Sequence, residues 1–340
     1  MAPKAHKVPG TLKFFGLVML AALAAYALYL LFVPPMPDAS WEPASITVPK
    51  GASTSSIARL LAENKVIRHR KAFRLSAAAF GLNRKLKAGR YRFDLPQSVW
   101  QALMKLRAGS VAYHQVTVPE GLTMRRIAGI IGEGAGTDSL ELLRLCADPG
   151  FLKSKNMPAK SLEGYLFPDT YDFEWATPPG RVLDIMLANF RAHVDSSWLK
   201  ELAARKLTLQ QAVIMASLVE SEAQVDSERV LIASVFYNRI RLWRPLESCA
   251  TIEYVLPRRK NTKLTYKDLE IDSPYNTYKK LGLPPGPICN PGRQSLEAAV
   301  FPAKTDYLYF VSRGDGGHIF SRTLEEHIRA KNICEKLKGR

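Results

Sequence analysis

Ala212-Val-Ile-Met-Ala-Ser-Leu-Val-Glu220 decides how this chain is read. An almost uniformly apolar run ends on a carboxylate. A helix apolar on every side is a buried helix, so an acid at its end is partly desolvated. One turn back stand Ala216 and Ser217, which bring no charge to neutralise it. The helix's negative end disfavours a second negative charge. Both effects favour a carboxyl that keeps its proton near neutral pH. A general acid in glycosidic cleavage needs that state. The competing reading is a Glu turned to solvent, since helix ends commonly reach the surface.

Upstream, the sequence says where such an acid would work. The chain has 340 residues and 47% hydrophobic content, enough for two domains, or a domain plus modules, with a real core. Residues 14–33 carry no charge and are long enough to cross a bilayer. Lys4, Lys7 and Lys13 precede them; Asp38 and Glu42 follow. The positive-inside rule puts residues 1–13 in the cytoplasm and the remainder outside. Pro34-Pro35-Met36-Pro37 makes a poor signal-peptide cleavage site, so the segment reads as an uncleaved single-pass anchor. Tyr26, Tyr29 and Trp41 suit its interfaces.

The formal charge of +17 invites a nucleic-acid reading. No zinc-finger spacing, helix-turn-helix pattern or RNP signature supports it, and an exported domain meets no DNA. The charge is densest at Lys65–Lys71 and Asn83–Arg90. These stretches could face anionic lipid, an anionic wall polymer or only solvent. Cys146, Cys249, Cys289 and Cys334 have neither metal-site nor redox spacing.

Residues 34–45 read as a linker. Ser45-Ile-Thr-Val-Pro-Lys-Gly51 and Gln115-Val-Thr-Val-Pro-Glu-Gly121 then repeat one pattern, a β-branched run, Pro and Gly leading into a helix. Ser53 or Thr54 would cap the first helix and Thr123 the second. With a helix near Arg70–Ala79 and a strand at Arg90–Phe93, residues 46–112 read as a βααβ module of LysM-like architecture. Residues 113–340 read as a mixed α+β region, with a helix over 180–193, the run ending at Glu220, and a helix from about Glu228 to Arg241 capped by Asp226 or Ser227. Gly282–Gly292 is too rich in Pro and Gly for regular structure and suits a cleft wall. A hairpin turning at Gly314–Gly317 and a helix over 323–337 close an α+β fold.

Taken in order, Glu163–Tyr171, Ala216–Ala223, Glu228-Arg229, Ala233–Arg239, Tyr275–Tyr278, Gly282–Gly292, Phe301–Phe310 and Gly316-Gly-His318 resemble the membrane-anchored endolytic murein transglycosylases, the YceG-like family. The resemblance implies a lyase, without cofactor or metal, at the cytoplasmic (inner) membrane with its catalytic domain outside. Its partner would be peptidoglycan glycan strands, cut between N-acetylmuramic acid and N-acetylglucosamine to leave 1,6-anhydro ends. Such cuts would help terminate strand synthesis beside the cell-wall synthases. The resemblance places the catalytic Glu on Glu220. Asn238, Glu247, Tyr254, Asn276 and Tyr278, polar or aromatic groups in or beside the matched segments, are expected to line the cleft. Leu246-Glu-Ser-Cys-Ala-Thr251 departs from the family's usual Leu-Gln-x-Asp-Pro-Thr, and Cys289 replaces a small residue. Those departures suggest a Cys249–Cys289 disulfide bordering the cleft. Hydrolysis by a muramidase, or binding of the wall without catalysis, are the competing functions.

Overall fold

A computed structural model describes residues 10–37, 41–49, 51–109, 113–256 and 264–338. Among these, the chain forms two compact units. The first runs to His114 and includes Glu174–Ala176; the second holds Gln115–Phe173 and the chain from Thr177 onward.

The first unit begins with α1 (Gly10–Phe32). Its segment Phe14–Phe32 is long and apolar enough to cross a membrane and is unburied by protein. Strand β1 (Ala44–Val48) pairs antiparallel with β2 (Gly89–Phe93), Ile46 opposite Tyr91. Between them lie α2 (Thr54–Glu63) and α3 (Arg70–Ala79), the strand–helix–helix–strand order legible in the sequence. Of the two expected caps for α2, Ser53 serves: its hydroxyl accepts the Ser56 N–H. The sequence reading had no α4 (Val99–Ala108), which starts on a Ser98–Gln101 capping box. Leu61, Phe73, Tyr91, Phe93, Leu103 and Leu106 fill this unit's core.

The second unit holds β3 (Tyr113–Val118) from Gln115 onward, α5 (Met124–Ala135), α6 (Ser139–Cys146), α7 (Pro149–Ser154), β4 (Asp169–Glu174) up to Phe173, α8 (Pro179–His193) and α9 (Ser196–Ala204). It continues through α10 (Leu209–Glu222), α11 (Arg229–Arg241), α12 (Cys249–Val255) and α13 (Arg293–Val300). Antiparallel β5 (Tyr309–Ser312) and β6 (His318–Ser321) and then α14 (Leu324–Lys338) complete it. Helix α11 starts one residue later than its pattern suggested, because Asp226–Glu228 form a 3-10 turn ahead of it.

Helix α10 is the axle of this unit. Every residue from Ala212 through Val219 is buried, as the uniform apolar run required. It packs against α11 and α13. The Pro-rich loop closes over it: Ile288 N–H donates to Ser217 Oγ at 3.1 Å. Gly164, at φ +86°, lets Pro287 and Val213 approach where a Cβ would overlap both. Thr123 sits at the N-cap of α5 but makes no side-chain cap. The Glu163 carboxylate, 39 residues on, takes the Met124 N–H instead.

Candidate active site

Two acids leave the C-terminal turn of α10. Glu220 and Glu222 are two residues apart, roughly 200° around the helix, and meet different surroundings. Glu220 Oε2 lies 3.3 Å from Arg229 Nη1, with side chains 7% and 9% exposed. The same oxygen accepts the Gly292 N–H at 3.0 Å. Arg229 also reaches Ser295 Oγ at 2.5 Å and Asp226 at 3.1 Å. So Glu220 belongs to a buried clasp joining α10, α11 and the start of α13. The expectation of an acid without a neutralising neighbour is corrected here. The neighbour comes from nine residues further on, across a turn that the local sequence window does not span. Glu120 lies against the same clasp, where a Cβ on Gly292 would collide with its carboxylate. Burial, then the charge of Glu220, raises Glu120, and Arg229 opposes them.

Glu222 faces a cavity of about 270 Å³, lined also by Arg239, Glu247, Ser248, Tyr278 and Tyr309 among others. Its Oε1 accepts the Ser248 hydroxyl at 2.5 Å. Ser248 is fixed in turn, its N–H donating to Thr277 Oγ1 at 3.1 Å. Burial raises the Glu222 carboxyl above its ordinary range; Ser248 and then His318 pull it down, and Glu253 pushes it up. His318 is gripped at both nitrogens by Glu228: its backbone N–H at 3.0 Å and Nδ1 at 2.7 Å. A carboxyl enclosed by protein, raised by burial and open to a cavity has the surroundings sought in a general acid.

Of the five expected cleft residues, the structure brings two to this cavity. Glu247, in the left-handed region at φ +55°, carries a carboxylate 2.7 Å from Arg239 Nη1. Tyr278 stands near Glu222 and Glu247 alike, and burial first raises its phenol. Asn238 is a clasp, its Nδ2 donating to the carbonyls of Thr305 at 2.8 Å and Tyr307 at 3.0 Å. Asn276, fully buried, donates to the carbonyls of Leu269 and Ile271. Tyr254 turns to Glu163, its hydroxyl 3.4 Å from Oε2. Neither asparagine lines the cavity, because satisfying buried carbonyls already occupies their amides.

Glu163 is itself a buried hub. Its Oε1 accepts the Met124 N–H and Asn290 Nδ2, each at 2.8 Å. Burial pushes its carboxyl up to about 7 against those hydrogen bonds. The expected disulfide is absent, and all four cysteines are free. Cys289 Sγ turns into α10, 3.3 Å from the Ser217 carbonyl, while Cys249 Sγ sits 3.1 Å from Tyr278 Oη. Ser248 was the residue missed: its short local run looks like a variant loop, and only folding of α12 against α10 gives it a role.

A model of the YceG-like family matches residues 46–333. The chain belongs to that family. The YceG-like relatives include an endolytic murein transglycosylase of Bacillus subtilis, 37% identical over 84% of this chain and 83% of its own length. Another, the endolytic murein transglycosylase of Streptococcus pneumoniae, is 30% identical over 95% of this chain and 65% of its own. Among solved structures, a YceG-like protein of Listeria monocytogenes superposes with a TM-score of 0.59 at 36% identity. That match covers 85% of this chain and 99% of the other.

Proposed function

We propose that this chain is a membrane-anchored endolytic murein transglycosylase whose general acid is Glu222. The carrying observation is the enclosed Glu222 carboxyl, raised by burial and facing a cavity that Glu247, Tyr278 and Ser248 also line. Family membership supplies the substrate class: the glycan strands of peptidoglycan. The family resemblance points to Glu220 as the acid, which is the rival assignment; clasped by Arg229, Glu220 serves as a structural staple in the reading preferred here.

One carboxyl group can act twice. Protonated Glu222 gives its proton to the glycosidic oxygen as the bond from C1 of N-acetylmuramic acid to that oxygen breaks. Positive charge builds on the sugar ring, and the Glu247 carboxylate on the cavity wall suits its stabilisation. The Glu222 carboxylate then takes the proton of the C6 hydroxyl. The C6 oxygen attacks C1 and closes the 1,6-anhydro ring. Glu222 ends protonated, ready for another turnover, and no water is consumed.

A specific feature favours a second reading. Glu247 gives the cavity a second carboxylate, which a hydrolytic muramidase would use to activate water. Purified glycan strands digested with the protein decide between them. The lyase yields anhydro ends and no added water by mass; reducing ends as the main product would establish hydrolysis. No cleavage of either kind would leave a wall-binding scaffold.

The α1 span supports a membrane location for this chemistry, and the positive-inside charge pattern supports a second unit on the outer side of the cytoplasmic membrane. Cuts made there meet strands as they are made, so cell-wall synthases are the partners implied. The β1-α2-α3-β2 arrangement supports a LysM-like reading of residues 46–112, with a glycan as its ligand.

A further inference from the structure

The first unit carries a surface that its own fold leaves uncovered. Helix α3 buries Phe73 and Ala77 on one face. Its opposite face exposes Lys71, Arg74, Leu75 and Ala78, with Leu75 71% exposed. Phe80, just past the helix, is 50% exposed. Arg84 and Lys85 follow, also exposed. No Asp or Glu occurs between Glu63 and Asp94. Exposed apolar side chains interleaved with unopposed cations suit neither plain solvent nor a purely polar polymer. They match a lipid headgroup layer, where cations meet phosphates and apolar tips reach the acyl boundary.

The end of α1 fixes where this surface lies. The Tyr29 hydroxyl accepts a hydrogen bond from Arg68 Nη1 at 3.0 Å. Phe32, the last residue of the helix, packs at a tilt against Trp100 with centroids 6.0 Å apart, and Trp100 meets Phe80 edge-on at 5.1 Å. Leu31 packs on the unit's core. At about 1.5 Å per residue, Tyr29 and Phe32 stand at the end of a span about 28 Å long, close to one bilayer core. Arg68 meets Tyr29, Trp100 meets Phe32, and Phe80 reaches this level through Trp100, so the three share the interfacial level.

We propose that the exposed face of α3, with Phe80, docks on the headgroup layer at the C-terminal end of α1, and that its partner is anionic phospholipid. The proposal rests on α1 spanning the bilayer and is independent of the assignment of the catalytic acid. Docking would hold the first unit flat on the membrane rather than free on a tether.

The full chain in lipid nanodiscs tests this. A nitroxide is placed by Ala78→Cys in a Cys249→Ser background, because the other three cysteines are buried. Its accessibility to a water-soluble nickel chelate is compared in phosphatidylcholine discs with and without phosphatidylglycerol. About fivefold lower accessibility is expected with the anionic lipid. Replacing Lys71, Arg74 and Arg84 together by Gln should restore accessibility. Equal exposure in both discs overturns the proposal. Equal shielding in both overturns the anionic partner. Shielding that appears only on adding peptidoglycan sacculi assigns the face to the wall instead. A second label, Leu20→Cys, reports insertion of α1: water-exposed there, it removes the spanning premise rather than the docking argument.

Discussion

The Glu222 carboxylate takes a 2.5 Å hydrogen bond from the Ser248 hydroxyl, which joins the end of α10 to the start of α12. Two residues earlier, Glu220 is closed off by Arg229 at 3.3 Å. One helical turn therefore presents one acid to a cavity and buries the other in an ion pair. The division follows from helix geometry, since neighbours at i and i+2 point away from each other.

Glu222→Gln should abolish turnover, by roughly a thousandfold or more, with the fold intact. Gln keeps the shape and accepts the Ser248 hydroxyl but cannot give and retake a carboxyl proton. Glu220→Gln should retain most turnover and lose thermal stability. It leaves the buried Arg229 charge with Asp226, Ser295 and the nearby Glu120, a cost of roughly 1–3 kcal/mol. Product release from purified glycan strands, read beside the melting temperature, separates the two. A dead but fully stable Glu220→Gln beside an active Glu222→Gln would move the acid back to Glu220.

The acid must be protonated to start the reaction, so activity should fall as pH rises through the elevated Glu222 value. The Ser248 hydrogen bond favours the charged carboxylate and lowers that value. Ser248→Ala removes the favour, so the alkaline limb of the kcat/KM profile should move to higher pH. A purely structural Ser248 would lower activity at every pH and leave the limb in place.

Glu163 gives a stability signal of its own. Its carboxyl is raised to about 7 in the fold from an ordinary value near 4.5. Between these two values the folded chain binds more protons than the unfolded one, so stability falls as pH rises through that window. Below it the penalty is absent; above it the penalty is complete, at about 3 kcal/mol. Glu163→Gln can still accept from Met124 and Asn290 and can donate to Tyr254. Its melting temperature should vary less between pH 5 and about 8 than that of the wild type. Equal slopes would remove Glu163 as the source.

Much of the second unit was legible because its signals are local. The apolar run of α10, the glycines between β5 and β6 and the β-branched repeat before α5 each act through neighbours in sequence. The candidate site was legible only in part, because it is built by pairings across long separations. Arg229 neutralises Glu220 from beyond a turn, and Ser248 reaches Glu222 from 26 residues away. Periodicity correctly identified α10 as buried and singled out Glu220 at its end, not Glu222 two residues on. It could not show that Glu222 lines the cavity. Asn238 and Asn276 have the composition of a binding site, but their amides are consumed by buried carbonyls.

Cys249 offers a direct probe of the cavity. It is the exposed cysteine of the four, and it lines the same space as Glu222. Its Sγ lies 3.1 Å from Tyr278 Oη, so a group attached to that sulfur must enter the cavity or displace Tyr278. A bulky maleimide should therefore react with one thiol per native chain and with the remaining three only after unfolding. Labelling should block cleavage of glycan strands in proportion to its extent. Cys249→Ser should cleave normally and resist the reagent. Full activity after complete modification of Cys249 would show that the glycan does not occupy this cavity, and the assignment of Glu222 would fall with it.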